Sequence, residues 1–477
     1  MWWLILPALL AIFVAVLLIR AARFAPPAAE RPQTEPVKVD EGKITDDMVA
    51  FIRCKTVSSR DKSQEDAAEF EKFRQVLQER FPRVHAACTL ERIGEKGLLY
   101  HWKGRSDAAP SVYMAHYDVV PAAEEDWDKP AFEGVIEDGV LWGRGTLDTK
   151  GTLLGVMEAA EHLLAEGFVP ENDIYFSFAG DEEIAGEGAP AIVDELERRR
   201  IRPAMVIDEG GAVVEGVFPG VKQPCALVGI GEKGMMDVEL TVKSMGGHAS
   251  SPPPHTPVGV LAQAVARVEN HPFPARLTKP AAEMFDTLGR HSSLLYRVIF
   301  ANLWCFGGVL SAMTKKSGGE LNALLRTTCA FTMMQGSRAS NVLPPEAKVG
   351  ANLRLMGGDT LQSAQARLEK IIANGNVTCS VVHGMNPSPF SSTDSPGWRR
   401  VKNAIQQTWP EALVSPYLMI ACSDSRHFCR ISDHVYRFSA MALSKEERGA
   451  IHGNNERIPL EKLVTTVQFY VRLMRHS

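Results

Sequence analysis

The sequence predicts an α/β protein with an inserted α+β unit, and three observations predict it. Runs of β-branched and aromatic residues at Val112–Asp118 (VYMAHYD), Asp173–Glu183 (DIYFSFAGDEE) and Ala204–Gly211 (AMVIDEGG) read as buried strands. Strand and helix signals alternate from the first of these through Gly231, as βαβ units do. From Met235 the pattern changes: MDVELTVKS, AKVGANLRL near Ala347 and NVTCSVVHG near Asn376 alternate apolar with polar residues, the signature of half-exposed strands.

Taken in chain order, residues 1–23 come first, and Trp2–Ile19 is an apolar run long enough to span a bilayer. No A-x-A cleavage site stands out, although Ala21-Ala22 leaves cleavage open, so the segment reads as a single-span anchor or uncleaved signal. A Pro/Ala/Glu-rich linker fills 24–40. Residues 41–233 form the first part of the main unit, where Lys43–Phe81 is helical with an interruption at Val57-Ser58-Ser59. GTLLGVMEAAEHLLAEG carries apolar residues at helical spacing from about Lys150 to Gly167, which leaves Asp148 in the loop before a helix.

The inserted unit covers 234–385 and contains a largely helical stretch, Leu261–Arg338. Its most apolar part, Leu294–Met313 with Trp304 and Phe306, is interrupted by Arg297, Asn302 and Gly307-Gly308. A helical core or the wall of an apolar pocket fits it better than a second span. Residues 386–477 alternate strand and helix again and return to the first sheet.

With 477 residues the chain is long enough for two domains. A net charge of −5 and the lack of a long basic run exclude nucleic acid as the partner, since that binding needs a clustered cationic footprint. The eight cysteines lack CxxC spacing and read as buried free thiols.

The chemistry lies at the strand ends, because open α/β sheets bind ligands beyond the carboxyl ends of their strands. That rule gathers His116, Asp118, Glu182, Glu183 and Asp208 into one crevice. Asp118, two residues after His116, can take an imidazole hydrogen bond and fix which nitrogen faces a metal. Asp148 in GRGTLDTKG sits in a glycine-flanked loop, either as a helix N-cap or as a carboxylate bridging two cations. Adjacent Glu182 and Glu183 repel each other unless a cation or a shared proton relieves them. His452 in IHGNNERIP supplies a second imidazole, and two histidines with three or four carboxylates suit two zinc ions.

Those motifs, AHYDVVP, GRGTLDTKG, GDEE, VIDEGG and IHGNNE, resemble in their order the di-zinc metallopeptidase and aminoacylase family, over about residues 45–477. The resemblance implies a zinc-exopeptidase-like mixed sheet flanked by helices, with the insert as a lid and dimerisation domain. It implies two zinc ions, replaceable by cobalt or manganese: His116 and Asp208 on one, Glu183 and His452 on the other, Asp148 bridging, and Glu182 as general base. In the lid it implies that His248 of GGHAS stabilises the oxyanion, often across a dimer interface, and that Asn341 and Arg354 grip substrate. Arg426 in SDSRHF is a second candidate for holding a free carboxylate. Hinges would lie near Gly234 and Gly384.

The leader, the helical insertion and the NVLPPEA and IHGNNE segments look most like Gly-X carboxypeptidases and secreted N-fatty-acyl-amino-acid amidases. This implies a peptide or N-acyl amino acid as substrate, and a catalytic domain anchored outside the cytoplasm. Arg20 and Arg23 behind the span argue for the opposite orientation. Two alternatives remain open: a cytoplasmic deacylase of the acetylornithine or succinyl-diaminopimelate type, and a noncatalytic, receptor-like relative.

Overall fold

In the computed structural model, which describes residues 5–27 and 34–477, the three apolar runs are neighbouring strands of one eight-stranded sheet. From one edge to the other the strands are Thr89–Ile93, Gly97–Trp102, Asn172–Ala179, Ser106–His116, Met205–Val214, Val435–Ala442, Cys225–Glu232 and Leu413–Met419. The sheet is mixed, as the family resemblance implies. Ser106–His116 runs parallel to both of its neighbours, whereas Gly97–Trp102 pairs antiparallel with Asn172–Ala179. The central strands read as unbroken apolar runs because helices cover both faces of the sheet.

The helix expected after Asp148 is Lys150–Ala165, and nearly every residue along it is buried. It packs against the C-terminal helix Leu460–Met474, where Gly155 lies so close to Thr466 and Tyr470 that a side chain would collide with them. The helical stretch expected before it divides into Glu41–Ile52 and Ala67–Arg80, and Val57 in the gap bridges to Val119.

A second core forms around the antiparallel sheet Thr328–Gln335, Glu346–Leu355, Gly234–Lys243 and Thr378–Met385, with helices Pro257–Asn270 and Leu361–Ile372 packed on it. Met236, Val238, Leu240 and Val242 alternate with half-exposed neighbours and point into that core. The helical insertion departs from expectation. Helices Lys279–His291, Leu294–Phe300, Leu303–Ser317 and Gly319–Leu325 leave the inserted unit, and Met284, Phe285, Leu288, Phe300, Leu324 and Leu325 join the core of the larger body. Phe218 draws them there, its ring 5.6 Å from that of Phe285 and 4.7 Å from that of Phe300.

At the N-terminus, the apolar run is a helix over Ile5–Arg23 with most of its surface exposed. Residues 2–4 of that run and 28–33 of the linker lie outside the described residues. All eight cysteines are free.

One buried pair ties the two ends of the main unit together: Arg437 Nε donates to Glu232 Oε1 at 2.5 Å, with both side chains fully buried. Glu232 also accepts from the Ser423 amide and from the Ser423 and Ser425 hydroxyls. Removing one member of such a pair leaves an uncompensated charge, so Arg437→Met is expected to destabilise the fold by about 3–5 kcal/mol. The shift of the urea unfolding midpoint measures this, and a midpoint unchanged from wild type would show that the pair does not hold the body together.

Candidate metal centre

Strand register brings the predicted donors together. His116 ends its strand directly opposite Ala179, and the Glu182-Glu183 turn follows just beyond Ala179. On the other side Tyr113 pairs with Ile207, which sets the residues after Ile207 beside His116. Asp148 occupies the loop before helix Lys150–Ala165, whose N-cap is Thr149, so the Asp148 carboxylate is free of capping. His452 lies between helix Lys445–Ala450 and strand Arg457–Pro459 with φ of 58°. A left-handed conformation at a non-glycine residue persists only where the surroundings enforce it.

The geometry is that of a bridge. Asp148 Oδ1 is 3.0 Å from His116 Nε2, and Asp148 Oδ2 is 3.0 Å from His452 Nε2. Glu183 Oε2 lies 3.0 Å from His452 Nε2, while Glu209 Oε1 lies 3.5 Å from His116 Nε2. Potential donor atoms converge in two sets, His116 with Asp148 and Glu183, and His116 with Glu182 and Glu209. His116 Nδ1 is 3.0 Å from the Asp118 carbonyl oxygen. A carbonyl can only accept, so Nδ1 carries a proton in either charge state and Nε2 is the nitrogen that faces the cluster.

Two buried carboxylates outside the donor sets hold the loops. Asp118 accepts from the amides of Glu182 and Glu183, both at 3.1 Å, and from Ser58 Oγ at 2.7 Å. Glu456 accepts from the amides of Gly145, Leu147 and Asp148 at 3.0, 2.7 and 3.3 Å, and pairs with Arg144 at 2.7 Å. Arg144 in turn donates to the Gly453 carbonyl, so one ion pair fixes both the Asp148 loop and the His452 loop. The sequence reading singled out neither Ser58, Arg144 nor Glu456; the glutamate of IHGNNE was the available clue.

Asp208 joins neither donor set, and its carboxylate accepts from the Ser425 amide at 3.0 Å. Glu209 is the acid of VIDEGG that joins a set, alongside His116 and Glu182, and successive residues of a strand point to opposite sides.

The electrostatics describe buried carboxylates crowded against two imidazoles. Burial, with the charge of Asp148 nearby, pushes Glu209 up to about 8, and burial also drives Glu182 and Asp424 well above the ordinary carboxylate range. Burial opposes charge on His116, but Glu209 and the hydrogen bonds of Asp118 and Asp148 overcome it and raise the imidazole well above its usual value. His452 is raised to about 10 by its hydrogen bonds to Asp148 and then Glu183. Protons thus occupy positions where metal ions neutralise the same carboxylates. Glu183 Oε1 is buried without a hydrogen-bond partner, as a metal-facing oxygen would be. The donor set of imidazoles and carboxylates around one shared aspartate therefore fits a pair of divalent ions of the zinc type.

A cleft of about 270 Å³ opens over the cluster, lined by Glu182, Glu183, Asp424, His452, Arg354 and Arg426 among others. Arg354 pairs across the second sheet with Met235, and Met235 with Met385, so the end of that sheet forms the opposite wall. Arg354 Nη1 lies 3.5 Å from Cys422 Sγ, and Arg426 Nη1 is buried with no hydrogen-bond partner. His248 and Asn341 do not reach the cleft. Strand Gly247–His248 pairs with Val342–Leu343, the Ala249 amide donates to the Asn341 carbonyl, and both residues are exposed.

Residues 112–476 match the family model described as Peptidase family M20/M25/M40. The chain is 36% identical over 481 residues to an N-fatty-acyl-amino acid synthase/hydrolase of Xenopus tropicalis, covering 98% of this chain and 93% of that one. To a carboxypeptidase S-like protein of Dictyostelium discoideum it is 37% identical over 431 residues, 89% of this chain and 83% of that one. Among solved structures, an M20 family metallo-carboxypeptidase from Sulfolobus solfataricus superposes with a TM-score of 0.67 at 17% identity, over 92% of this chain and 99% of that chain. At such identity the likeness is one of fold.

Two outcomes follow from the geometry. Glu209→Ala is expected to lower the bound metal after dialysis from two ions per chain toward one, while Asp208→Asn keeps both, read by elemental analysis; the reverse pattern would contradict the ligand set. Because His452 stays protonated up to about 10, cation uptake near neutral pH must expel that proton. Apparent affinity is expected to rise with pH up to that value, and calorimetric heats to change with the ionisation enthalpy of the buffer. A buffer-independent heat would show that no proton leaves.

Proposed function

The chain belongs to peptidase family M20/M25/M40 and is a hydrolase of the metallopeptidase and amidohydrolase type, and from that premise we propose that it uses two metal ions to cleave the amide bond of N-acyl amino acids or short peptides bearing a free carboxylate. The observation that carries this reading is the Asp148 carboxylate, which offers one oxygen to each histidine at 3.0 Å. In the proposed arrangement His116 with Glu209 would hold one ion, Asp208 being the alternative the resemblance implies, Glu183 with His452 would hold the other, and Asp148 would be shared. Zinc suits the donors, with cobalt or manganese as substitutes. Bound ions would polarise the scissile carbonyl and acidify a water.

The residues of the chain do the rest. Glu182 lines the cleft, and burial raises the proton affinity of its carboxylate, which suits a base that accepts a proton from water and then delivers it to the leaving nitrogen. Asp118 keeps Glu182 in place by accepting its backbone N–H. Arg354, at the opposite wall, presents a fork of donors that fits a substrate carboxylate, and Arg426 is the nearby second cation. Met235 and Met385 beside Arg354 offer apolar, adaptable surface, in keeping with the fatty-acyl amino acid named for the Xenopus relative.

Since His248 and Asn341 lie outside the cleft, we assign their roles to a closed state of the inserted unit or to a second copy of the chain. Every donor the chemistry requires is present, which leaves the receptor-like reading without support. We propose that the apolar helix Ile5–Arg23 is a single-span anchor and, from the resemblance to secreted amidases and against the charge of Arg20 and Arg23, that the catalytic body lies outside the cytoplasm. An anchor disfavours the cytoplasmic deacylase reading.

Glu182→Gln is expected to retain its metal content yet lose about 10²–10⁴-fold in kcat on N-acyl amino acids. Full activity in that variant would remove Glu182 from the mechanism. Arg354→Ala is expected to raise KM about 10–100-fold for substrates with a free carboxylate and to leave carboxamide-capped analogues unchanged, the effect of a lost charged hydrogen bond. An equal loss on both substrates would rule out carboxylate recognition by Arg354.

A further inference from the structure

The larger body carries an apolar surface that the chemistry above does not use. Helices Leu294–Phe300 and Leu303–Ser317 meet at a bend of 101° around Ala301 and Asn302. Leu294, Leu295, Trp304, Val309 and Met313 all project outward from this elbow, with Leu295 72% and Met313 64% exposed. Scattered exposed apolar residues are ordinary, but five large ones on the two helices of one elbow call for a partner.

The N-terminal helix identifies the partner. Arg20 donates to the Ala301 carbonyl at 3.1 and 3.2 Å, and Asn302 Nδ2 donates to the Leu17 carbonyl at 3.1 Å. Nearer the N-terminus, the Phe13 and Trp304 rings meet edge to face at 6.1 Å. The bend of the elbow is thus bonded to the charged end of helix Ile5–Arg23, and its first turn lies beside the apolar middle. At a rise of about 1.5 Å per residue, Phe13 sits roughly 10 Å from Arg20 along the helix, within the outer part of a hydrocarbon layer about 30 Å thick.

Only 11% of the apolar window of that helix is covered by the rest of the protein. Whatever medium surrounds its open face also meets the elbow packed against it. Lys315 and Lys316 close helix Leu303–Ser317, where long cationic stems reach back to headgroups. An exposed tryptophan on the apolar side and lysines at the end form the pattern of a helix lying in a membrane interface.

We propose that the elbow Leu294–Ser317 inserts into the lipid bilayer beside helix Ile5–Arg23, so that the catalytic body docks flat on the membrane instead of swinging on the linker. The proposal rests on the anchor reading above and extends it to a second element. Docking also fixes the height of the cleft. Arg326 donates to the Ser311 carbonyl at 2.9 Å, and Lys233 Nζ donates to the carbonyls of Ala323 and Arg326 at 3.0 and 2.9 Å. Lys233 immediately precedes the first strand of the inserted unit, and its carbonyl accepts from Cys422, a residue of the cleft wall.

The test is a fluorescent amino acid placed at Val309, at Leu9 on the anchor, or at Met245, which is 99% exposed on the inserted unit, in the full chain reconstituted into phosphatidylcholine and phosphatidylglycerol vesicles. Doxyl-labelled lipids are expected to quench Leu9 and Val309 strongly and to leave Met245 unchanged. Quenching at Leu9 without quenching at Val309 would overturn the elbow and keep the anchor. No quenching at either would overturn both. A Val309 probe shielded from aqueous iodide yet insensitive to doxyl lipid would mean that a second copy covers the face, and this too would overturn the proposal.

Discussion

The structure is governed by one electrostatic constraint: carboxylates crowd the carboxyl end of a buried sheet, away from bulk water, and their charge must be neutralised. Glu182, Glu209, Asp208 and Asp424 are all held above their usual ionisation range by burial. Two imidazoles share one aspartate between them. Protons or cations offset the charge of such a cluster, and its oxygens and nitrogens converge as the donors of a metal site do.

Everything around the cluster keeps the donors from relaxing away. Asp118 ties the Glu182-Glu183 turn to the end of the central strand by accepting two backbone amides. Glu456 and Arg144 staple the Asp148 loop to the His452 loop, although 308 residues separate Asp148 from Glu456 along the chain. Glu232 and Arg437 do the same for the segment that carries Asp424 and Arg426. These carboxylates bond to backbone amides, serine hydroxyls and arginines, and the donor carboxylates face the cleft.

Much of this was legible in the sequence. The apolar runs ending in His116, at Glu182-Glu183 and in VIDEGG became adjacent strands because buried strands have a plain signature, and the alternating strands of the inserted unit were equally plain. What the sequence leaves open depends on information a local pattern lacks. Choosing between Asp208 and Glu209 requires strand parity at the point where register brings the residue beside His116. The helices from Lys279 to Leu325 lie within the inserted unit in sequence, but long-range packing on Phe218 decides which core they join. Arg144 and Glu456 form a pair between distant loops, which spacing along the chain cannot announce.

The most direct measurement is an anomalous-scattering map from crystals grown with zinc and recorded at its absorption edge. The account predicts two peaks flanking the Asp148 carboxylate, one next to His116 and Glu209 and the other next to Glu183 and His452. A single peak, or a pair in which Asp208 replaces Glu209 as the contact, would contradict it.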